Sequence, residues 1–108
     1  MVVLKVTLNA LPEKQRELEQ TLLSMVTRVR ETAGCEQAET CRDLKDENRL
    51  FVLSHWETRQ KLDVYLQSDK FSALMGTRIL LSEPPSVSID AVTSSEGIEV
   101  IAALRSKS

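Results

Sequence analysis

Hydrophobic and polar positions along the first half of the chain predict strands and one long helix. Apolar residues occupy every second position from Val2 to Asn9, which predicts a half-buried strand. From Glu13 to about Thr32 they recur at steps of three and four, which predicts an amphipathic helix. Its apolar positions are Leu18, Leu22, Met25, Val26, Val29 and Ala33. Gly34 is expected to end this helix. Residues 35–43 predict a weaker second strand, joined by a polar turn to a third from Arg49 to Trp56.

The third predicted strand is apolar on both faces. Leu50, Val52 and Trp56 share one side, and Phe51 and Leu53 share the other. In a short chain the protein's own helices cover one face of such a strand, so the other face is expected to meet a second subunit. The sequence therefore predicts a homodimer.

The second half of the chain predicts two short helices and two further apolar segments. Thr58 is predicted to cap one helix, and Ser68 or Asp69 the next. Their apolar positions are Leu62, Tyr65, Leu66, Phe71, Leu74, Met75 and Ile79. Alternation predicts a fourth strand at 87–91, and the run from Ile98 to Leu104 is predicted to be an edge strand or a tail that pairs with a partner. The order β-α-β-β-α-α-β-β is the ferredoxin-like, split βαβ arrangement of an α+β fold with an antiparallel sheet.

Composition and charge narrow the class of protein. A chain of 108 residues, 42% hydrophobic and 28% charged, has room for one globular domain with one core. Fourteen basic and sixteen acidic residues are interspersed and give a net charge of -2, so we expect no nucleic acid and no membrane surface as partner. The apolar runs are too short for a membrane span or a signal peptide, and the expected location is cytoplasmic.

The sequence carries no pattern for a metal or a nucleotide. Cys35 and Cys41 lack a C-x-x-C spacing and His55 is the one histidine, whereas structural zinc requires four convergent ligands. Phosphate-binding glycine loops and the G-x-S-x-G and H-E-x-x-H motifs are also missing. We therefore expect no metal and no cofactor.

Several short segments, taken together in one order, carry a resemblance to a known family. They are Pro12 with the charged start of the long helix, Ala33-Gly34-Cys35, Cys41-Arg42-Asp43, Phe51-Val52-Leu53-Ser54-His55-Trp56-Glu57, Leu62, Tyr65-Leu66, Ser68-Asp69-Lys70-Phe71 and Leu81-Ser82-Glu83-Pro84-Pro85. On these residues the chain resembles the antibiotic biosynthesis monooxygenase (ABM) domain, one of the dimeric α+β barrel proteins. The resemblance covers residues 1–93 and leaves 94–108 as a C-terminal extension.

The resemblance implies two sheets packed back to back across a dimer, with a pocket in each subunit between the sheet and the helices. Some members oxidise polycyclic aromatic intermediates with O2 and no bound cofactor, and relatives degrade haem, isomerise small metabolites or have no known activity. This chain has Tyr65 where many members carry a histidine, and Ser54 where many carry a glutamate. Haem-degrading members have tryptophan at the position of Tyr65 and an iron-ligating histidine at that of Met75, so haem degradation is not expected.

Six residues are candidates for a functional site. Tyr65 is predicted to be catalytic because a phenol at the pocket wall can donate a hydrogen bond to a substrate oxygen on which negative charge develops. His55 is the second catalytic candidate, as an acid or base, although a histidine without a carboxylate to orient it is more often structural. The predicted substrate-binding residues are Trp56, Phe71, Met75 and Asn9. Trp56, Phe71 and Met75 also suit a core, and Asn9 a turn.

The leading hypothesis is a cofactor-independent monooxygenase-like homodimer that binds, and oxidises with O2, a small aromatic or polyketide-like metabolite without metal or flavin. The substrate anion would pass an electron to O2 itself, and the protein would desolvate and orient it. Two alternatives remain open: a non-catalytic, metabolite-binding or stress-related barrel protein, and a small-metabolite isomerase. A cavity shared by Tyr65 and His55 would favour an enzyme. An apolar interior without a cavity would favour the binding protein.

Overall fold

The computed structural model describes residues 1–106, which form four strands and four α-helices. In chain order these are β1 (Val2–Asn9), α1 (Gln15–Arg30), β2 (Cys35–Arg42), β3 (Arg49–Trp56), α2 (Arg59–Leu66), α3 (Asp69–Met75), β4 (Ser86–Ala91) and α4 (Ile98–Arg105). A 3-10 turn, Pro12–Lys14, leads into α1, and a second, Gly76–Leu80, follows α3. None of the helices in this part of the chain is long and apolar enough to cross a membrane.

The four strands form one antiparallel sheet in the order β2-β3-β1-β4. β1 lies inside the sheet, where Val2 pairs with Trp56 on one side and with Ala91 on the other. The register between β2 and β3 shifts between Cys35 and Gln37, as at a bulge. The α+β, ferredoxin-like fold expected from the order of elements is confirmed.

One face of the sheet is buried under α1, α2 and α3. The buried residues of β1 and β3 are Val2, Leu4, Val6, Leu8, Leu50, Val52, Ser54 and Trp56, and those of α1 are Leu18, Leu22, Val26 and Val29. Two residues expected on helical stripes lie outside their helices and are exposed. Ala33 follows the end of α1, and Ile79 lies in the 3-10 turn after α3. In both cases the apolar periodicity continues past the point where the backbone turns away.

The turns around the short helices explain where they begin. Thr58 Oγ1 accepts a hydrogen bond from the Lys61 N–H at 3.1 Å, and Ser68 Oγ accepts one from the Phe71 N–H at 3.4 Å. Both predicted N-caps are confirmed, with Ser68 rather than Asp69 in the second. Gly34 has a φ of +88°, and a Cβ there would lie 2.4 Å from the Cβ of Lys61, so this turn requires glycine.

The opposite face of the sheet lies away from α1, α2 and α3. It presents Val3, Phe51, Leu53 and His55, all half-buried by their neighbours on the sheet. The Lys5 Nζ sits 4.8 Å from the centroid of the Phe51 ring, which is a cation–π contact. The face of the sheet that α1, α2 and α3 do not cover is therefore apolar at its centre.

The C-terminal apolar run is helical, so the edge strand predicted there is wrong. Ala102, Ala103 and Leu104 are strong helix formers, and the large apolar residues recur every third position, which suits a helix face rather than a strand. Ile98, Ile101 and Leu104 are 77%, 49% and 63% exposed, and no residue of α4 is buried. The last two positions of the predicted extension, 107 and 108, lie outside the described residues.

Candidate functional site

Three aromatic side chains from three elements pack together beside the sheet. The rings of Trp56 on β3 and Tyr65 on α2 are stacked, with centroids 4.9 Å apart and an interplanar angle of 23°. The Phe71 ring on α3 meets Tyr65 edge-on, at 5.4 Å and 71°. Trp56 is 0% and Tyr65 is 1% exposed. Each such pair adds about 0.5–1.5 kcal/mol beyond the area it buries, so the cluster fixes α2 and α3 against the sheet.

Trp56 has its polar group satisfied from within the sheet. Its indole N–H donates a hydrogen bond of 2.9 Å to the Oγ of Ser54, and both residues are buried. The two residues share a face of β3 because they are two positions apart. Ser54 stands where many family members carry glutamate, and here its role is to accept this bond. The sequence shows the pair only as two residues on one strand face.

An apolar cavity of about 170 Å³ lies next to Tyr65, between α1, α3 and β3. Its apolar lining consists of Leu22, Met25, Val26, Val29, Val52, Ala73 and Leu74. An engineered apolar cavity of about 150 Å³ binds benzene, so this volume accommodates one aromatic ring. It is smaller than the roughly 300–1,000 Å³ of pockets for drug-sized ligands. The interior is therefore neither filled nor large enough for a polycyclic molecule, a flavin or a haem.

Tyr65 is the one uncharged polar residue in the lining of this cavity. Among residues 1–106 its hydroxyl has no hydrogen-bond partner, and every fully enclosed side-chain N or O atom of those residues does have one. The hydroxyl oxygen is therefore not completely enclosed, and Tyr65 lines the cavity. Burial, with a smaller contribution from Cys35, raises the pKa of Tyr65 to about 12. At neutral pH the phenol keeps its proton and can donate it in a hydrogen bond.

Tyr65 and His55 do not share a cavity. His55 alternates with Trp56 along β3, so its side chain lies on the face of the sheet opposite the helices. It is half-buried and pairs across the strands with Val3. Proton exchange between Tyr65 and His55 would have to pass through the sheet.

None of the other predicted binding residues lines the cavity. Phe71 and Met75 are half-buried and pack against the core. Asn9 lies at the end of β1, where its amide nitrogen donates to Glu83 at 2.8 Å and its amide oxygen accepts from Arg49 at 3.1 Å. Of the six candidates, Tyr65 is the one that lines the cavity.

Sequence reasoning missed three charged residues of the site. Arg28 on α1 and Asp69 and Lys70 on α3 are exposed and line the outer part of the cavity. Lys70 Nζ donates to the backbone carbonyl of Arg28 at 3.3 Å and to Thr32 Oγ1 at 3.0 Å, which joins α3 to the end of α1. Two features of the sequence could have identified these residues. Arg28 borders the apolar stripe of α1, and Asp69 and Lys70 belong to a segment shared with the family.

Metal binding has no site in the described part of the chain. Among residues 1–106 no group of three or more His, Cys, Asp or Glu side chains is placed to hold a metal ion. The polar residues that line the cavity are thus Tyr65, which is neutral, and the three charged residues Arg28, Asp69 and Lys70.

One four-stranded antiparallel sheet with three helices on one face, and an apolar cavity between them, defines a ferredoxin-like α+β protein with an internal cavity. The family model "Antibiotic biosynthesis monooxygenase" (ABM) matches residues 1–77. The chain belongs to this family. The match ends before β4, whereas the resemblance seen in the sequence extends to residue 93.

Solved structures share the fold at low sequence identity. A candidate antibiotic biosynthesis monooxygenase from Deinococcus radiodurans is 20% identical with a TM-score of 0.82, over 91% of this chain and 98% of that chain. A protein from Mycobacterium tuberculosis is 20% identical with a TM-score of 0.80, over 89% and 98%. A protein from Pseudomonas aeruginosa is 25% identical with a TM-score of 0.71, over 88% and 94%. No curated protein matches the chain. These similarities establish the fold, and function is argued from the site.

Proposed function

We propose that this protein binds a hydroxylated, single-ring aromatic metabolite in the Tyr65 cavity and oxidises it with O2 without metal or flavin. The observation that carries the proposal is a buried tyrosine in the lining of an apolar cavity of about 170 Å³, with a hydroxyl that has no partner among residues 1–106. Membership of the ABM family agrees with an oxygenase reaction. The small volume favours one ring over the polyketide-like substrates also considered from the sequence.

The reaction needs no electrons from outside because the substrate supplies them. The hydroxylated ring, as its anion, gives one electron to O2, and the resulting pair combines to form a carbon–oxygen bond at the ring. Loss of water from that hydroperoxide leaves a quinone, so one hydroxyarene and one O2 give one quinone and one water. The four electrons that reduce O2 all come from the ring.

The chain's own residues would act on the substrate by position and by electrostatics. The apolar wall excludes water from the ring and holds it in one orientation. Tyr65 donates a hydrogen bond to the ring oxygen on which negative charge is held, and a neutral phenol with a pKa of about 12 remains a donor throughout the physiological range. Trp56 and Phe71 hold the Tyr65 ring in place.

A non-catalytic binding protein is the second candidate function. Tyr65 is the one uncharged polar side chain in the cavity lining, and Ser54, in place of the glutamate of many members, is engaged with Trp56. An isomerase is supported less well. It requires a proton shuttle, but His55 is on the other face of the sheet and the pKa of Tyr65 is too high for a base.

Oxygen uptake tests the proposal and separates it from the binding protein. We expect uptake with single-ring dihydroxybenzenes above the rate in heat-denatured protein, and slower uptake with hydroxylated naphthalenes and anthracenes. Ligand binding measured by calorimetry without any uptake would favour the binding protein. Absence of both uptake and binding across the single-ring panel would contradict the proposed function.

We also propose that the protein works as a homodimer joined through the sheet face around Phe51 and Leu53. The support is the apolar centre of that face, which no part of the core covers. Sedimentation at micromolar concentration should give about twice the monomer mass. Leu53→Lys should favour the monomer, whereas Ser88→Lys, on the edge strand of the same face, should have a smaller effect. A wild-type monomer at that concentration would refute the dimer.

A further inference from the structure

The outer part of the Tyr65 cavity carries a net positive charge. Arg28 and Lys70 are cations and Asp69 is an anion, and all three line the same cavity. They leave one positive charge beside an otherwise apolar lining. A ligand that fills the cavity therefore meets the Tyr65 phenol and this charged group together, because the volume holds about one ring.

The two cations are in different situations. The Lys70 ammonium is already engaged with the carbonyl oxygen of Arg28 and the hydroxyl of Thr32, at 3.3 and 3.0 Å, where it stabilises the end of α1. The Arg28 guanidinium, by contrast, has no ion pair among residues 1–106; the ion pairs of that part of the chain join Lys14 with Glu17, Arg42 with Glu19, and Arg59 with Asp63. Arg28 is thus the cation with donors available to a ligand.

From this arrangement we propose that Arg28 is the specificity residue of the site and binds a carboxylate on the aromatic ligand. The inference rests on the proposed function and narrows its substrate class to hydroxylated aromatic carboxylates. The ring occupies the apolar cavity, its hydroxyl accepts the Tyr65 hydrogen bond, and its carboxylate accepts two parallel hydrogen bonds from the guanidinium. The backbone of Arg28 is held by Lys70, so the guanidinium projects from a fixed point.

Charge balance favours a carboxylate over a phosphate ester. A carboxylate carries one negative charge, which matches the single net positive charge of Arg28, Lys70 and Asp69. A phosphate group carries about 1.5 to 2 negative charges at neutral pH, and the excess would be repelled by Asp69. The ligand is therefore expected to be a monoanion.

The test compares charged and neutral probes of one shape. Calorimetry measures the binding of benzoate, its neutral isostere benzamide, phenol and phenyl phosphate to the full chain. Wild type should bind benzoate about tenfold more tightly than benzamide, the lower end of what a hydrogen bond to a charged group contributes. Arg28→Gln should weaken benzoate by about tenfold and leave benzamide unchanged. Arg16→Gln, nearer the beginning of α1, is the matched control and should change neither.

Each other outcome has a defined meaning. Equal affinity of wild type for benzoate and benzamide overturns the role of Arg28 and leaves the proposed function standing. The same conclusion follows if Arg28→Gln and Arg16→Gln weaken the binding of benzoate equally. Tighter binding of phenyl phosphate than of benzoate overturns the assignment to a carboxylate. Failure of wild type to bind any probe, phenol included, overturns the proposed function and this inference with it. Thermal unfolding of each variant shows that it is folded.

Discussion

Replacement of Tyr65 by phenylalanine removes one oxygen atom and leaves the packing of the site intact. The Phe ring can keep the stacked contact with Trp56, at 4.9 Å, and the edge contact with Phe71, at 5.4 Å. No hydrogen bond is lost, because the hydroxyl has no partner among residues 1–106. The free energy of unfolding should therefore change by less than about 1 kcal/mol.

The effect of Tyr65→Phe on catalysis should be far larger than its effect on stability. Loss of one donor to a developing oxyanion costs about 3 kcal/mol of transition-state stabilisation. Since about 1.4 kcal/mol is a tenfold change in rate, the rate of oxygen uptake should fall about a hundredfold. The assay is oxygen uptake with the most active dihydroxybenzene, at saturating substrate, in wild type and variant.

Tyr65→Leu is the control for the role of the ring. It loses the hydroxyl and both aromatic contacts, each worth about 0.5–1.5 kcal/mol, and leaves a cavity in the core, so it should lower the free energy of unfolding by at least about 1–3 kcal/mol. Equal rates of uptake in wild type and Tyr65→Phe would remove the hydroxyl from the mechanism. Destabilisation of Tyr65→Phe by more than about 2 kcal/mol would refute the structural reasoning, because it would require a buried partner for the hydroxyl.

Four further predictions follow from other features. The free energy of unfolding should fall as the pH rises from 10 to about 12, because the folded state keeps the Tyr65 proton that the unfolded chain has lost; denaturant titrations should show this decline in wild type and not in Tyr65→Phe. Ser54→Ala leaves the buried Trp56 N–H without an acceptor and should cost about 1–3 kcal/mol by thermal unfolding, less in Ser54→Thr. Truncation after Ser95 removes the exposed apolar helix α4 and should weaken the dimer in sedimentation; unchanged assembly would remove that role. Purified protein with a reductant should not degrade haem, since Met75 offers a thioether where haem-degrading relatives have imidazole; absorbance loss of added haem would contradict this.

Regular alternation made the centre of the sheet predictable. β1 and β3 begin and end at the residues that the pattern indicated, because one face of each is buried along its whole length. The short helices were located by the hydroxyls of Thr58 and Ser68. The C-terminal segment was predicted wrongly because its run of seven residues contains one polar residue, Glu99, which is too few to separate a helical from a strand period, and its helix has no buried residue that marks a core face.

The candidate site was predictable only in part because it depends on distant segments. The Tyr65 position follows from the apolar stripe of α2, and the family comparison indicated the pocket. Arg28 and Lys70 are 42 positions apart in the chain and meet only when α1 and α3 pack together. From the sequence alone, charged residues such as these are expected to face solvent. The volume of the cavity between the two helices cannot be derived from the sequence. His55 was excluded from the cavity by strand alternation, which the sequence already indicated.

The central position of β1 has a consequence for how the chain folds during synthesis. β1 is synthesised before β4, yet Val2 of β1 pairs with Ala91 of β4. At about 5–20 residues per second, β1 waits about 4–18 s for β4 to be made. Pairing over such a separation also closes a long loop, which slows folding. Until β4 is made, β1 can pair with β3 on one side, but its other edge stays unpaired and is open to pairing with another chain.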